Sequence, residues 1–206
     1  HRYPRLKAAA AGIAALVNHG VVEETNQYIG LKGLNLEEHF RRLVPIPMTV
    51  GNDMNFLTMG CWAQKHPDAG SLVTLFMGGN GIGGGMVING QLWTGASGYC
   101  SEVGFLPVYE RLNKGSLGLP PAEHISELYA RLIQIYAVTV NPHMMVLYRH
   151  PLLEGRLDEI RRLCASYLPS KAIPSIELSY DYQQDYEKGL FTVAKSMGQA
   201  VSEGGL

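Results

Sequence analysis

Two periodicities alternate along this chain. Residues 8–17 form a continuous apolar run, the pattern of a strand covered on both faces, although an alanine-rich run also suits a helix. Asn18-His19-Gly20 turns the chain into Val21-Val22. Asn35-Leu36-Glu37-Glu38 is a capping box and predicts a helix over 36–43, ended by Pro45 and Pro47. A short strand is expected at 48–50, a helix at 56–63 and a buried strand at 71–77. Asn89-Gly90 stands between two apolar runs and predicts a hairpin with a type I′ turn. Beyond Pro107 the pattern turns helical. Helices are expected at 122–140, 153–167 and 185–202, with strands at 144–148 and 175–178. Strands alternating with helices define an α/β fold.

Charge narrows the function classes. The 206 residues carry 17 basic and 18 acidic side chains, which removes the clustered cations a nucleic-acid surface needs. No apolar run approaches the ~20 residues that span a bilayer. Cys61, Cys100 and Cys164 are far apart and form no C-x-x-C pair, so reduced thiols in a cytoplasmic setting are expected, without a disulfide framework. Glycine is in excess, at 24 residues, and its placement matters more than its count.

Six of those glycines fall between Gly78 and Gly85. Bare amides of Gly79, Asn80, Gly81, Gly83 and Gly84 could cradle phosphate; a sheet crossing that needs small residues would look the same. No Gly-Lys-Ser/Thr follows, and a strand follows rather than a helix, so neither a Walker A loop nor a Rossmann turn is present. Asn52-Asp53-Met54-Asn55 stands at a strand end before a helix. Asp53 there could accept a proton from a hydroxyl or could simply cap the helix. Glu102, in Gly98-Tyr99-Cys100-Ser101-Glu102-Val103-Gly104, could bind sugar hydroxyls or be a solvated loop carboxylate. The histidines show no metal-ligand spacing.

Taken together, Asn52-Asp53-x-Asn55, Gly79-Asn80-Gly81-Ile82-Gly83-Gly84-Gly85, Gly95-Ala96-Ser97-Gly98 and Glu102-Val103-Gly104 resemble the ROK family of sugar kinases and sugar-responsive regulators. The resemblance implies an actin/hexokinase-like ATPase fold (ribonuclease H-like), with two lobes around a cleft. Residues 1–50 would be the remainder of an incomplete first lobe, and 51–206 a second lobe with the glycine loop and closing helices. It further implies Asp53 as general base, and Asn52, Asp53 and Glu102 as sugar ligands, with Asn26 or Gln27 as a further sugar contact. Gly79 to Gly85 would face the phosphates of ATP with Mg²⁺. The implied partners are a small-molecule sugar and, as in other family members, a second copy of the chain; nucleic acid and membrane are not among them.

The departures from the family pattern carry equal weight. The family's N-terminal Asp-x-Gly-Gly-Thr phosphate hairpin does not occur in the sequence. Asn80 replaces a Thr in the phosphate loop. Phe105 stands where a His binds sugar and zinc, and Tyr109 to Gly118 replaces the family's zinc-binding cysteines, so no zinc is expected. Leu147-Tyr148-Arg149-His150-Pro151 puts bulky residues in the adenosine segment. Three functions follow: an ATP-dependent hexose or aminosugar kinase, a sugar-sensing domain of a regulator without kinase activity, or a degenerate interaction protein.

Overall fold

A computed structural model describes residues 6–25, 27–79, 81–108 and 121–203. Strand β1 (Ala9–Ile13) pairs in parallel with β4 (Met48–Asn52), from Ala9 opposite Met48 to Ile13 opposite Asn52. The apolar run at 8–17 is thus a strand that breaks after Ile13, and β2 (Leu16–Asn18) resumes as one arm of a hairpin with β3 (Val21–Glu24). Helix α1 (Leu36–Leu43) starts where the capping box places it: the Asn35 side chain accepts from the Glu38 N–H at 2.9 Å. Glu38 turns its carboxylate to Arg42 one helical turn on, leaving the box half closed.

The larger unit is a five-stranded sheet in the order β7-β6-β5-β8-β9. It comprises β5 (Ser71–Gly78), β6 (Gly81–Ile88), β7 (Gln91–Leu92), β8 (Met144–Tyr148) and β9 (Ser175–Ser179). Strands β5, β8 and β9 are parallel, and β6 and β7 fold back antiparallel. The predicted Asn89-Gly90 turn joins β6 to β7, with φ of 51° and 74°, as a type I′ turn requires.

Strand periodicity assigns the two faces. Val73, Leu75, Met77, Met145 and Leu147 pack with α3 (Ile125–Thr139) and α4 (Leu157–Tyr167) in the main core. Leu72, Val146, Tyr148 and Phe76 face the other way, against α2 (Asp53–Lys65) and α5 (Tyr182–Glu203). The result is a sheet covered by two helices on each side, the expected α/β architecture.

Four helix boundaries differ from the sequence expectation. Helix α2 begins at Asp53, three residues early, because Asn52 caps it by accepting from the Met54 N–H at 2.8 Å. Helix α3 begins at Ile125, after a single 3₁₀ turn over Ala122–His124. Helix α4 begins at Leu157, since Gly155 lies at φ 69° and holds the preceding residues out of the helix. Helix α5 begins at Tyr182, which brings two tyrosines onto its first turns.

The helices α2 and α5 cross almost backbone to backbone. A Cβ at Gly60 would collide with the Asp185 carbonyl, and one at Gly189 with the Phe56 carbonyl. Small residues at a crossing permit this distance. No helix among the described residues is long and apolar enough to cross a membrane.

Candidate functional site

Strand β4 ends at Asn52, and the chain turns directly into α2 at Asp53. Clefts at the carboxyl ends of parallel strands are the usual ligand positions in α/β folds. Asn52 has two tasks. Its Oδ1 caps α2, and its Nδ2 donates to the Ala15 carbonyl at 3.0 Å, tying the strand end to the first hairpin. The capping role weighed for Asp53 therefore belongs chiefly to Asn52. Asp53 occupies the first helical position, where one carboxylate oxygen accepts from the Met54 N–H at 2.9 Å.

Burial raises the Asp53 carboxyl above its usual range, against the lowering effect of the nearby amides. Glu102 is raised too, first by burial and then by the negative charge of Asp53. The two sequence-predicted carboxyls are therefore close enough to interact through charge. Glu102 sits on a short turn whose backbone is fixed on both sides: its N–H donates to Tyr99, and its carbonyl accepts from Phe105. Phe105 itself is 74% exposed. No Lys, Arg or His shifts either carboxyl among the described residues.

The other predicted residues divide. Gln27 is exposed, its backbone N–H donating to Thr25 Oγ1, and among the described residues no hydrogen bond joins it to the two carboxyls. Asn26 and Asn80 lie outside the described residues, as does Tyr109 to Gly118. The glycine run splits by function. Gly83 faces Met54, Gly84 faces Ser101 and Leu75, and a Cβ at Gly85 would collide with Thr58. Gly83 and Gly85 let α2 lie close on β6, the sheet-crossing role, while Gly84 leaves room for the backbone at Ser101. Gly79, at the hairpin tip, meets nothing within 4 Å. Gly81, at φ 129°, completes that tip.

Three residues that sequence reasoning missed complete the site. Tyr186 places its hydroxyl against Gly12, which pairs with Gly51 just before the Asn52-Asp53 turn. Tyr182 stacks parallel to Tyr186, with centroids 6.2 Å apart, and lies 4.4 Å from the Phe76 ring. Both phenols are raised by burial and then by the charge of Asp53. All three rings are half-buried and pack with Met54, the neighbour of Asp53. The i, i+4 spacing of Tyr182 and Tyr186 was the available signal, masked by starting the helix three residues late.

A fit to ATP and Mg²⁺ can be judged from these groups. The two carboxyls are acidic, Gly83 to Gly85 are committed to packing, and a Cβ at Gly79 would meet nothing within 4 Å. Among the described residues no group of three or more His, Cys, Asp or Glu could hold a metal ion. The described residues suit an uncharged polyol and do not form a triphosphate cradle.

The comparisons with known proteins agree with this architecture. A family model described as the ROK family matches residues 2–123, more than half of the chain, and the chain belongs to that family. A glucokinase of Halalkalibacterium halodurans is 30% identical over 80 residues, which are 39% of this chain and 24% of that protein. The chain therefore matches about a quarter of the length of this curated relative. Among solved structures, a ROK family transcriptional regulator, a homologue of the E. coli MLC protein, superposes with a TM-score of 0.71 at 17% identity, covering 93% of this chain and 63% of that one. A ROK family glucokinase from Streptomyces griseus, in complex with glucose and AMPPNP, gives a TM-score of 0.62 at 18% identity, covering 94% and 82%. These likenesses establish the expected actin/hexokinase-like ATPase fold.

Proposed function

We propose that this chain is the sugar-binding unit of a ROK protein, with one sugar ring held by Asn52, Asp53 and Glu102. The observation that carries this reading is the charge interaction of two half-buried carboxyls, with no basic group shifting either among the described residues. Ionised carboxylates accept hydrogen bonds from hydroxyls, and an uncharged polyol supplies those donors without adding charge. The solved glucokinase relative holds glucose, which supports the same class of ligand.

The reading favours a sensor over a catalyst, because Gly83 to Gly85 of the glycine loop serve packing. The test combines two measurements on the full-length protein with a panel of hexoses and aminosugars. Thermal unfolding should rise with at least one sugar, and a coupled ADP-release assay should stay at background with that sugar. Failure of every sugar to stabilise the fold would overturn the reading.

One observation favours the second reading, a sugar kinase. Asp53 is fixed at the helix start and raised in pKa, as a general base that takes a hydroxyl proton would be. ADP release that depends on sugar and disappears in Asp53→Ala would establish the kinase and remove the sensor.

A further inference from the structure

Four non-glycine residues among those described hold a positive φ: His19, Asn89, Ser101 and Asn141. Asn and His visit this region several times more often than other side chains. Three of the four serve ordinary turns. His19 lies between β2 and β3, Asn89 lies between β6 and β7, and Asn141 follows the end of α3, its N–H donating to the Tyr136 carbonyl at 3.0 Å. Ser101, at φ 67°, lies between β7 and a 3₁₀ turn over Val103–Phe105, and the residue it leads into is Glu102. The Glu102 N–H donates to the Tyr99 carbonyl at 3.2 Å, which closes a β-turn over Tyr99-Cys100-Ser101-Glu102. A positive φ at the third residue and not at the second is the type II pattern, and that position ordinarily takes Gly or Asn. A second, tighter turn follows. Glu102 has φ −74° and ψ 75°, and the Val103 N–H donates across it to the Ser101 carbonyl at 2.9 Å, an inverse γ-turn.

A left-handed residue other than glycine costs free energy and persists only where its surroundings over-determine it, and such residues cluster at functional sites. The surroundings of Ser101 come from two other elements. On the sheet side, a Cβ at Gly84 of β6 would lie 3.0 Å from the Ser101 carbonyl oxygen and 3.3 Å from the Ser101 Cβ. On the side of the first hairpin, a Cβ at Gly98 would lie 3.0 Å from the Val17 carbonyl oxygen of β2. Two residues earlier, the Ala15 carbonyl accepts from Asn52 Nδ2 at 3.0 Å. The loop that carries Glu102 and the strand end that carries Asn52 and Asp53 therefore rest on the same short stretch of backbone. We propose that Ser101 is a positioning residue: its left-handed backbone sets where the Glu102 carboxylate stands relative to Asn52 and Asp53, and through that carboxylate it sets the affinity for sugar. This rests on the sugar-binding reading above and deepens it. The role belongs to the backbone at Ser101 and not to its hydroxyl, so glycine should serve as well there and a β-branched residue should not.

The test pairs the Glu102 carboxyl titration, read by carbon-detected NMR, with isothermal titration of the full-length protein with glucose, mannose and glucosamine. In Ser101→Val, Glu102 should titrate closer to the ordinary carboxylate value, and the affinity for the bound sugar should fall about tenfold, the scale of one hydrogen bond to a charged group. Ser101→Gly should keep the wild-type titration and an affinity within about twofold. Gly84→Ala presses on the Ser101 carbonyl from β6 and is an independent variant with the same expected effect as Ser101→Val. Circular dichroism shows whether each variant is folded. On a Glu102→Gln background, Ser101→Val should weaken binding by less than about twofold, because the group it positions is already changed. A titration and an affinity that stay at wild-type values in both Ser101→Val and Gly84→Ala overturn the proposal. So does an equal loss in Ser101→Gly, or a further loss of about tenfold on the Glu102→Gln background. If no sugar binds the wild-type protein, the sugar reading falls, while a Glu102 titration that moves in Ser101→Val and not in Ser101→Gly still upholds the positioning of Glu102.

Discussion

Asp53 and Glu102 are coupled through charge, and each therefore reports on the other. Glu102 is held above its ordinary pKa partly by the Asp53 carboxylate. Asp53→Asn should move the Glu102 titration down toward the usual value near 4, visible by carbon-detected NMR of the carboxyl. The same substitution has a stability consequence with a defined sign. A carboxyl whose folded pKa lies above its unfolded value stabilises the fold fully below the unfolded pKa, and that contribution is lost as pH rises through the folded value. Ionised Asp53 thus weakens the fold at pH 7, so Asp53→Asn should raise Tm there, with the two proteins converging below about pH 4. A Tm gap that widens in acid would contradict the burial of Asp53. Sugar affinity in the wild-type protein should fall as pH drops through these raised values, at a higher pH than an exposed carboxylate would give. The two carboxyls were legible in the sequence as motif residues. Their desolvation was not, because burial is set by how segments distant in sequence pack around them, which motif spacing does not record.

At the level of elements, the glycines explain themselves by contact. The excess near residue 80 reads in sequence either as a phosphate loop or as a sheet crossing, and the structure gives Gly83 and Gly85 to packing of α2 on β6 and Gly84 to the close approach of Ser101. Gly60 and Gly189, each inside a helical pattern, set the closest approach of α2 and α5. Gly60→Ala and Gly189→Ala should each destabilise the protein by about 3 kcal/mol, the upper range for overpacking, although alanine is the better helix former. Urea unfolding measures this, and a gain in stability would contradict the crossing. The cap of α1 gives a contrasting case that was legible from spacing alone. Asn35→Ala loses the bond to the Glu38 N–H and should cost about 1 kcal/mol. Strand and helix order was readable because periodicity is local. The helix starts at Asp53, Leu157 and Tyr182 were missed because caps and glycine φ values decide them, and a hydrophobic pattern does not record those.

The whole molecule is joined by a buried polar group that no motif announces. Asp185 on α5 is completely buried. Its Oδ2 accepts from Lys65 Nζ of α2 at 2.7 Å and from the Tyr148 hydroxyl of β8 at 2.6 Å, while Oδ1 has no hydrogen-bond partner among the described residues. Lys65 also reaches Asp181 at 3.1 Å and Ser179 at 3.1 Å, so one ammonium group links both covering helices to the end of β9. Cys61 lies in the same pocket, its thiol pushed up to about 12 by burial, which leaves it neutral and a minor participant. Tyr148 was read from sequence only as an obstacle in the adenosine segment; its hydroxyl instead anchors the sheet to α5. Removing one partner strands the other charge, whereas removing both does not. Lys65→Met should therefore cost about 3–5 kcal/mol, because Asp185 is left ionised and buried. Adding Asp185→Asn to Lys65→Met should recover a substantial part of that loss, giving a clear coupling energy in a double-mutant cycle. Additive effects of the two substitutions would mean that the ion pair does not join the two helices, and the close crossing at Gly60 and Gly189 would then have to hold them on its own.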